Sequence, residues 1–206
     1  MTAGTVLRKS YAEPPLRVEE ILRYAGCRTG QVAPEICQAL DGCLEEARGA
    51  LRYGVCYLEQ PVRVVDGLCD LGFATFSSKD LAVYLSDCRS CLLMGATVGL
   101  ELDRLIARYG RVSPSRALLL QAIGSERVEA LCDVFLADAR IEYEKKGQSL
   151  KPRYSPGYGD LSLEAQIPLF AALDCQRQIG LSLNGSLLMS PTKSVTAIVG
   201  IRNIGE

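Results

Sequence analysis

The hydrophobic patterning of this 206-residue chain predicts an α+β fold in which an antiparallel or mixed sheet packs around one long central helix. The period changes from helical to alternating at Val55, the longest helical pattern runs from Ser113 to Gly147, and an alternating segment returns at Ser194–Ile201. Helices, strands, a long helix, a loop, a helix and further strands follow one another with neither a βαβα rhythm nor a fixed-length repeat. Residues 1–110 read as a helical and β portion packing on a core formed by residues 111–206, the two making one compact unit.

Each element has its own signal. Pro14-Pro15 closes a polar leader, and Val18, Ile21, Leu22 and Ala25 mark one face of a short helix stopped by Gly26. Pro34 opens a second helix through about Tyr53, with Ile36, Cys37, Leu40, Leu44, Ala47 and Leu51 on one face and Gly54 as its cap. Val55, Tyr57, Val62, Val64 and Val65 then alternate with polar residues, and Leu68–Phe76 follows the Asp66-Gly67 turn, which predicts a β-hairpin or meander. Ser77-Ser78-Lys79-Asp80 starts a helix that reaches about Leu85. Ser90–Leu100 reads as a buried strand leading into a helix over about Glu101–Tyr109. Gly95 and Gly99 within that run lack the GxGxxG spacing of a dinucleotide site and read as close-packing positions.

Ser113 as N-cap and Pro114 at the first helical position open the longest helix, which reaches about Lys146 and would span roughly 50 Å. Ala117, Leu118, Ala122, Val128, Leu131, Val134 and Phe135 form its buried stripe, and Gly124 within it predicts a kink or a close contact. Glu129 falls beside the stripe, away from the solvent-facing Glu142 and Glu144, so its carboxylate needs a partner such as an arginine. Ser162 caps an amphipathic helix through Asp174, continued to Gly180, and Asn184-Gly185 marks a turn. Ser194–Ile201 is apolar on both faces and belongs inside a sheet.

Composition narrows the chemistry. A formal net charge of −1, with no polybasic run, gives no footprint for nucleic acid or anionic membranes. No stretch reaches the roughly 18 apolar residues of a membrane span, and Met1–Glu13 has no apolar signal core, so a cytoplasmic protein is expected. Nine cysteines are an odd count, which points away from a disulfide framework and toward thiols used as small hydrophobes, Cys37 and Cys132 among them. Cys88-Arg-Ser-Cys91 has the spacing of a redox or zinc pair but no second pair to complete a site, and no metal is expected. The chain contains no histidine, which rules out Ser-His-Asp and Cys-His hydrolysis and His-ligated metals, and any chemistry served here must need little proton transfer.

One loop remains. Arg153-Tyr154-Ser155-Pro156-Gly157-Tyr158-Gly159-Asp160 combines a proline that fixes its own φ, two glycines that permit unusual backbone angles, and a dense set of recognition groups. Together with the helix after it and Leu187-Leu188-Met189-Ser190-Pro191-Thr192-Lys193-Ser194-Val195, about 30 residues on, this loop resembles the C-terminal reactivation domain of cobalamin-dependent methionine synthase. The whole chain is similar to the stand-alone proteins that supply this activation domain separately. The resemblance implies a domain that binds S-adenosylmethionine and supports remethylation of cob(II)alamin. The cobalamin is carried by a partner, a methionine synthase lacking its own activation domain, and the electron comes from a flavodoxin-like donor. It implies ligand contacts at Glu129, Arg153, Ser155, Gly157 and Tyr158, and no catalytic group. Ser155 stands where the full-length enzyme's domain commonly has alanine, and the family's aromatic contact beyond the last strand has no counterpart up to Glu206.

The chemistry of these side chains agrees with such a ligand. An arginine fork suits its carboxylate, a glutamate its ammonium, and tyrosine faces its sulfonium and adenine. Two functional expectations follow: an accessory subunit of methionine synthase, and a non-catalytic adenosyl-ligand module or sensor acting on another corrinoid protein.

Overall fold

The computed structural model describes residues 4–27 and 32–205. Strand β1 (Leu7–Tyr11) and helices α1 (Val18–Tyr24) and α2 (Pro34–Ala50) lead into the long strand β2 (Tyr53–Pro61). The short strands β3 (Arg63–Val65), β4 (Leu68–Asp70) and β5 (Thr75–Ser77) precede helix α3 (Lys79–Leu85) and strand β6 (Ser90–Thr97). Helix α4 (Leu100–Val112) and the 31-residue helix α5 (Pro114–Glu144) are followed by β7 (Gln148–Leu150). After the loop, a 3-10 turn (Leu163–Ala165), helices α6 (Gln166–Leu173) and α7 (Cys175–Ile179), and strands β8 (Ser182–Leu183), β9 (Met189–Ser190) and β10 (Ser194–Asn203) complete the chain.

Five strands form one antiparallel sheet in the order β1-β2-β6-β10-β7. Helices cover both of its faces, which explains why β6 and β10 read as continuous apolar runs. Val55, Leu92, Met94, Ala197 and Val199 pack against α1, α2, α4 and α5 on one face. Cys56, Leu58, Leu93 and Ile198 pack against α3, α6 and the β3-β4-β5 sheet on the other. The expectation that the last strand lies inside the sheet holds, because β10 pairs with β6 along its length and with β7 at its end. Gly124 is a close-packing position: a Cβ there would stand 2.6 Å from Leu102 Cδ2 and 2.7 Å from Lys193 Cγ. Among the described residues no helix is long and apolar enough to cross a membrane.

Several expectations need correction. Helix α2 ends at Ala50 rather than near Tyr53, because Leu51 turns extended and the Arg52 amide donates to the Val98 carbonyl, so Gly54 lies within strand β2 instead of capping a helix. Its first turn projects beyond the core, leaving Ile36 and Cys37 exposed, so Cys37 is not a buried thiol as Cys132 is. The meander expected around Asp66-Gly67 is present as β3-β4-β5, whereas β2, the first part of that alternating run, joins β1 and β6 in the main sheet. The Ser113 side chain makes no capping bond at the start of α5, and Leu118 is 52% exposed, off the buried stripe. Ser162 caps a 3-10 turn by accepting from the Glu164 amide, and the helix after it breaks at Asp174, whose φ of 46° separates α6 from α7.

The long helix is tied to the N-terminal segment by charge. Glu126 and Arg127 are 0% exposed, and Arg127 donates to Glu126 through Nε at 2.5 Å and Nη2 at 2.7 Å. The remaining donors of the Arg127 fork bind the carbonyls of Pro14 at 2.7 Å and Pro15 at 2.8 Å, and Arg17 Nε donates to Glu126 at 3.2 Å. A buried pair is costly to break from one side, because the survivor is left charged and unpaired. Glu126→Ala is therefore expected to lower unfolding stability by about 3–5 kcal/mol in urea titrations. Removal of Glu20, whose partner Arg23 lies on the surface one helical turn away, should leave the midpoint nearly unchanged.

Candidate functional site

The loop between β7 and the 3-10 turn is fastened at both ends. Tyr154 exchanges both backbone hydrogen bonds with Ile198 of β10, at 2.9 and 2.8 Å, so the segment continues the sheet edge beyond β7. Tyr84 of α3 donates its hydroxyl to the Pro152 carbonyl at 2.5 Å. At the other end Asp160 caps α3: its carboxylate accepts from the Lys79 amide at 2.7 Å, the Asp80 amide at 3.2 Å and the Ser78 hydroxyl. Ser78 in turn accepts from the Leu81 amide at 3.0 Å as the helix N-cap.

Between these anchors the backbone folds on itself. Gly157 donates to the Leu161 carbonyl at 2.8 Å, Tyr158 to the Ser155 carbonyl at 3.1 Å, and Pro156 is buried. Gly159 sits at φ 54° with the Asp80 carboxylate and the Tyr154 hydroxyl pressed against it, and a Cβ would lie 2.8 Å from that hydroxyl. No other residue type fits there without displacing the α3 contact. The result is a rigid surface from which the Tyr158 ring, 70% exposed, projects beside Tyr154 at a centroid distance of 5.8 Å.

Arg153 and Tyr154 point to opposite faces of the sheet edge, as neighbours in a strand do. Tyr154 enters the α3 and α6 side, whereas Arg153 crosses to α5 and donates through Nη2 to Glu129 at 2.6 Å. Asp133, one turn further along α5, is 3.9 Å from the same nitrogen and accepts from Arg17 Nη1 at 2.9 Å. The side chains of Glu126, Glu129 and Asp133 thus share one face of α5 at helical spacing, with Arg127, Arg17 and Arg153 set among them. Cys132 lies beneath Arg153, and burial pushes its thiol up to about 12, so it stays neutral packing.

The structure therefore brings Glu129 and Arg153 into direct contact and places Ser155, Gly157 and Tyr158 on the loop that Arg153 opens. Two members of the loop's recognition set have other duties: Asp160 caps α3, and Tyr154 is 9% exposed in the core. Sequence reasoning missed Asp133 and Arg17, although the acid spacing 126, 129, 133 on one helix was available as a signal. It also missed Thr196 and Gln166, whose Oγ1 and Oε1 are buried without a hydrogen-bond partner among the described residues. Thr196 lies two residues before Ile198, where β10 has no strand on its outer edge. Arg153 uses one of its nitrogens on Glu129, and Glu129 Oε1 has no partner among the described residues. A cation fork and a carboxylate oxygen with spare hydrogen-bonding capacity thus lie near an open strand edge. Cys88 and Cys91 are both buried, burial pushing Cys88 up to about 11 and Cys91 higher still, and among the described residues no cluster of three or more ligating side chains surrounds them.

No protein-family model and no curated protein sequence matches the chain. Among solved structures, the reactivation domain of MetH bound to AdoHcy is similar, with a TM-score of 0.65 over 95% of this chain and 78% of that one, at 14% sequence identity. That similarity establishes the fold: an α+β domain with an antiparallel sheet and a long helix.

The cap at Asp160 carries a pH signature. Its hydrogen bond from Ser78, with those from the Lys79 and Asp80 amides, holds the carboxyl below its ordinary value. A depressed folded-state value means that the contribution is complete above the ordinary aspartate pKa of about 3.9 and is lost as pH falls through the lower folded value. The difference in thermal midpoint between the parent and Asp160→Asn is expected to be largest above about pH 5 and to narrow below about pH 4.

Proposed function

We propose that this chain binds S-adenosylmethionine and serves the reductive remethylation of cob(II)alamin on a cobalamin-dependent methionine synthase that lacks its own activation domain. The observation that carries the reading is the 2.6 Å contact between Arg153, at the mouth of a rigid glycine-proline loop, and Glu129 on the facing helix. In a fold shared with a reactivation domain bound to AdoHcy, these two groups match the zwitterionic end of such a ligand. The free N–H groups of Arg153 would take the carboxylate, and the unpartnered Glu129 oxygen would take the ammonium. The backbone of Ser155 and Gly157 and the exposed ring of Tyr158 would take the adenosyl portion.

S-adenosylmethionine would supply the methyl group and leave as S-adenosylhomocysteine, and a flavodoxin-like donor would supply the one electron that the partner's cob(II)alamin needs before it can take the methyl group. This chain's residues bind and orient, which asks nothing of a general base and suits a sequence without histidine. The chain is then an accessory subunit of a methyltransferase reaction and no hydrolase, with 111–206 supplying the ligand-binding core and 1–110 packing on it, in the cytoplasm.

Calorimetric titration with S-adenosylmethionine and S-adenosylhomocysteine tests the reading. Arg153→Ala removes a charge-assisted contact worth about 1.5–3 kcal/mol and is expected to weaken affinity ten- to a hundredfold. Absence of binding by the parent chain, with the methionine synthase partner present, would overturn it. Binding that leaves reductive reactivation of methionine synthase unchanged would instead favour a sensor acting on another corrinoid protein.

A further inference from the structure

At the sheet edge opposite the Arg153 loop lies an open cleft of about 750 Å³ between β1, the start of β2, the end of β6 and α7. Four guanidiniums line it: Arg8 on β1, Arg48 in the last turn of α2, Arg52 in the link to β2, and Arg177 on α7. The one carboxylate in the lining is Glu13, and it is shared, 4.0 Å from Arg48 and 3.9 Å from the buried Arg127. Four positive charges against one negative stand here in a chain whose overall formal charge is −1. Like charges drawn from four separate elements repel, and an anion entering among them relieves that repulsion.

The cleft is built rather than incidental. Gly99 at φ 91° lets the end of β6 approach Arg52, so that the Arg52 amide donates to the Val98 carbonyl at 2.8 Å. Arg52 Nη1 is fixed on the Leu51 carbonyl at 2.7 Å, which leaves the rest of its fork for a ligand. Arg8 and Arg177 have no carboxylate partner among the described residues. Gln176 and Gln178 add neutral donors and acceptors.

We propose that this cleft binds a small molecule carrying a diphosphate group. A lone carboxylate is satisfied by one or two guanidinium forks, whereas a diphosphate presents enough oxygens for four. The volume lies within the range of small-molecule sites. The site is separate from the adenosyl-ligand loop, and nothing in its argument depends on that reading.

Inorganic pyrophosphate is the probe, titrated calorimetrically at low ionic strength. The parent chain is expected to bind it, with affinity falling as salt rises, and the double variant R8Q/R177Q to bind it at least about tenfold more weakly. R140Q, on the exposed surface of α5 away from the cleft, is expected to bind as the parent does. Titration of R8Q/R177Q with S-adenosylhomocysteine should match the parent, which separates failure here from failure at the loop. If the double variant loses its folded baseline in circular dichroism, Arg177→Gln alone carries the comparison. Absence of pyrophosphate binding by the parent, undiminished binding by the cleft variant, or an equal loss in R140Q would overturn the proposal. Equal affinity for citrate would overturn the assignment to phosphate.

Discussion

A row of three acids on one face of α5 constrains the rest of the molecule. Glu126, Glu129 and Asp133 recur at helical spacing, and an uncompensated row of this kind, with one member fully buried, would destabilise the helix that carries it. Compensation comes from three directions: Arg127 on the helix itself, Arg17 at the start of α1, and Arg153 at the mouth of the loop. The same contacts fix the N-terminal segment, because Arg127 also holds the Pro14 and Pro15 carbonyls, and they fix the loop, because Arg153 opens it. The fold's electrostatic requirement and the geometry of the candidate site are one arrangement.

That arrangement is graded by depth. Glu126 and Arg127 are sealed and satisfy each other, whereas Glu129, Arg153 and Asp133 retain exposure and spare hydrogen-bonding capacity. A sealed pair can only be structural. A half-exposed one keeps hydrogen-bonding capacity that solvent or another polar group can use. The loop itself is held by its own contacts. Its ends are tied to β10 and α3, and Gly159 is pinned against Asp80, so little backbone freedom is left in it.

Local signals in the sequence placed the elements well, and long-range ones did not. Pro34, Ser78, Pro114 and Gly147 mark boundaries because each acts on its own few residues through φ, a missing N–H or a cap. The pairing of β2 with β6 in place of β3 is not local: a strand apolar on both faces carries no information about its neighbour, and the sheet order emerges only when helices cover both sides. The same distinction runs through the site. The stiffness of the loop was legible from Pro156, Gly157 and Gly159, and the need of Glu129 for an arginine from its place beside the apolar stripe. The capping role of Asp160 was not, because Ser78 lies 82 residues away in sequence and reaches it only in the folded chain. Arg17 and Asp133 were hidden for the same reason.

What this chain withholds from chemistry is as informative as what it offers. Cys132, beneath Arg153, is held near 12 by burial, and Cys88 near 11, so both remain protonated thiols at neutral pH and supply no nucleophile. With no histidine in the sequence, the polar side chains at the loop are an arginine, carboxylates, hydroxyls and phenols. At this loop the Tyr158 ring is exposed and, among the described residues, the outer edge of β10 before Ile198 carries no strand.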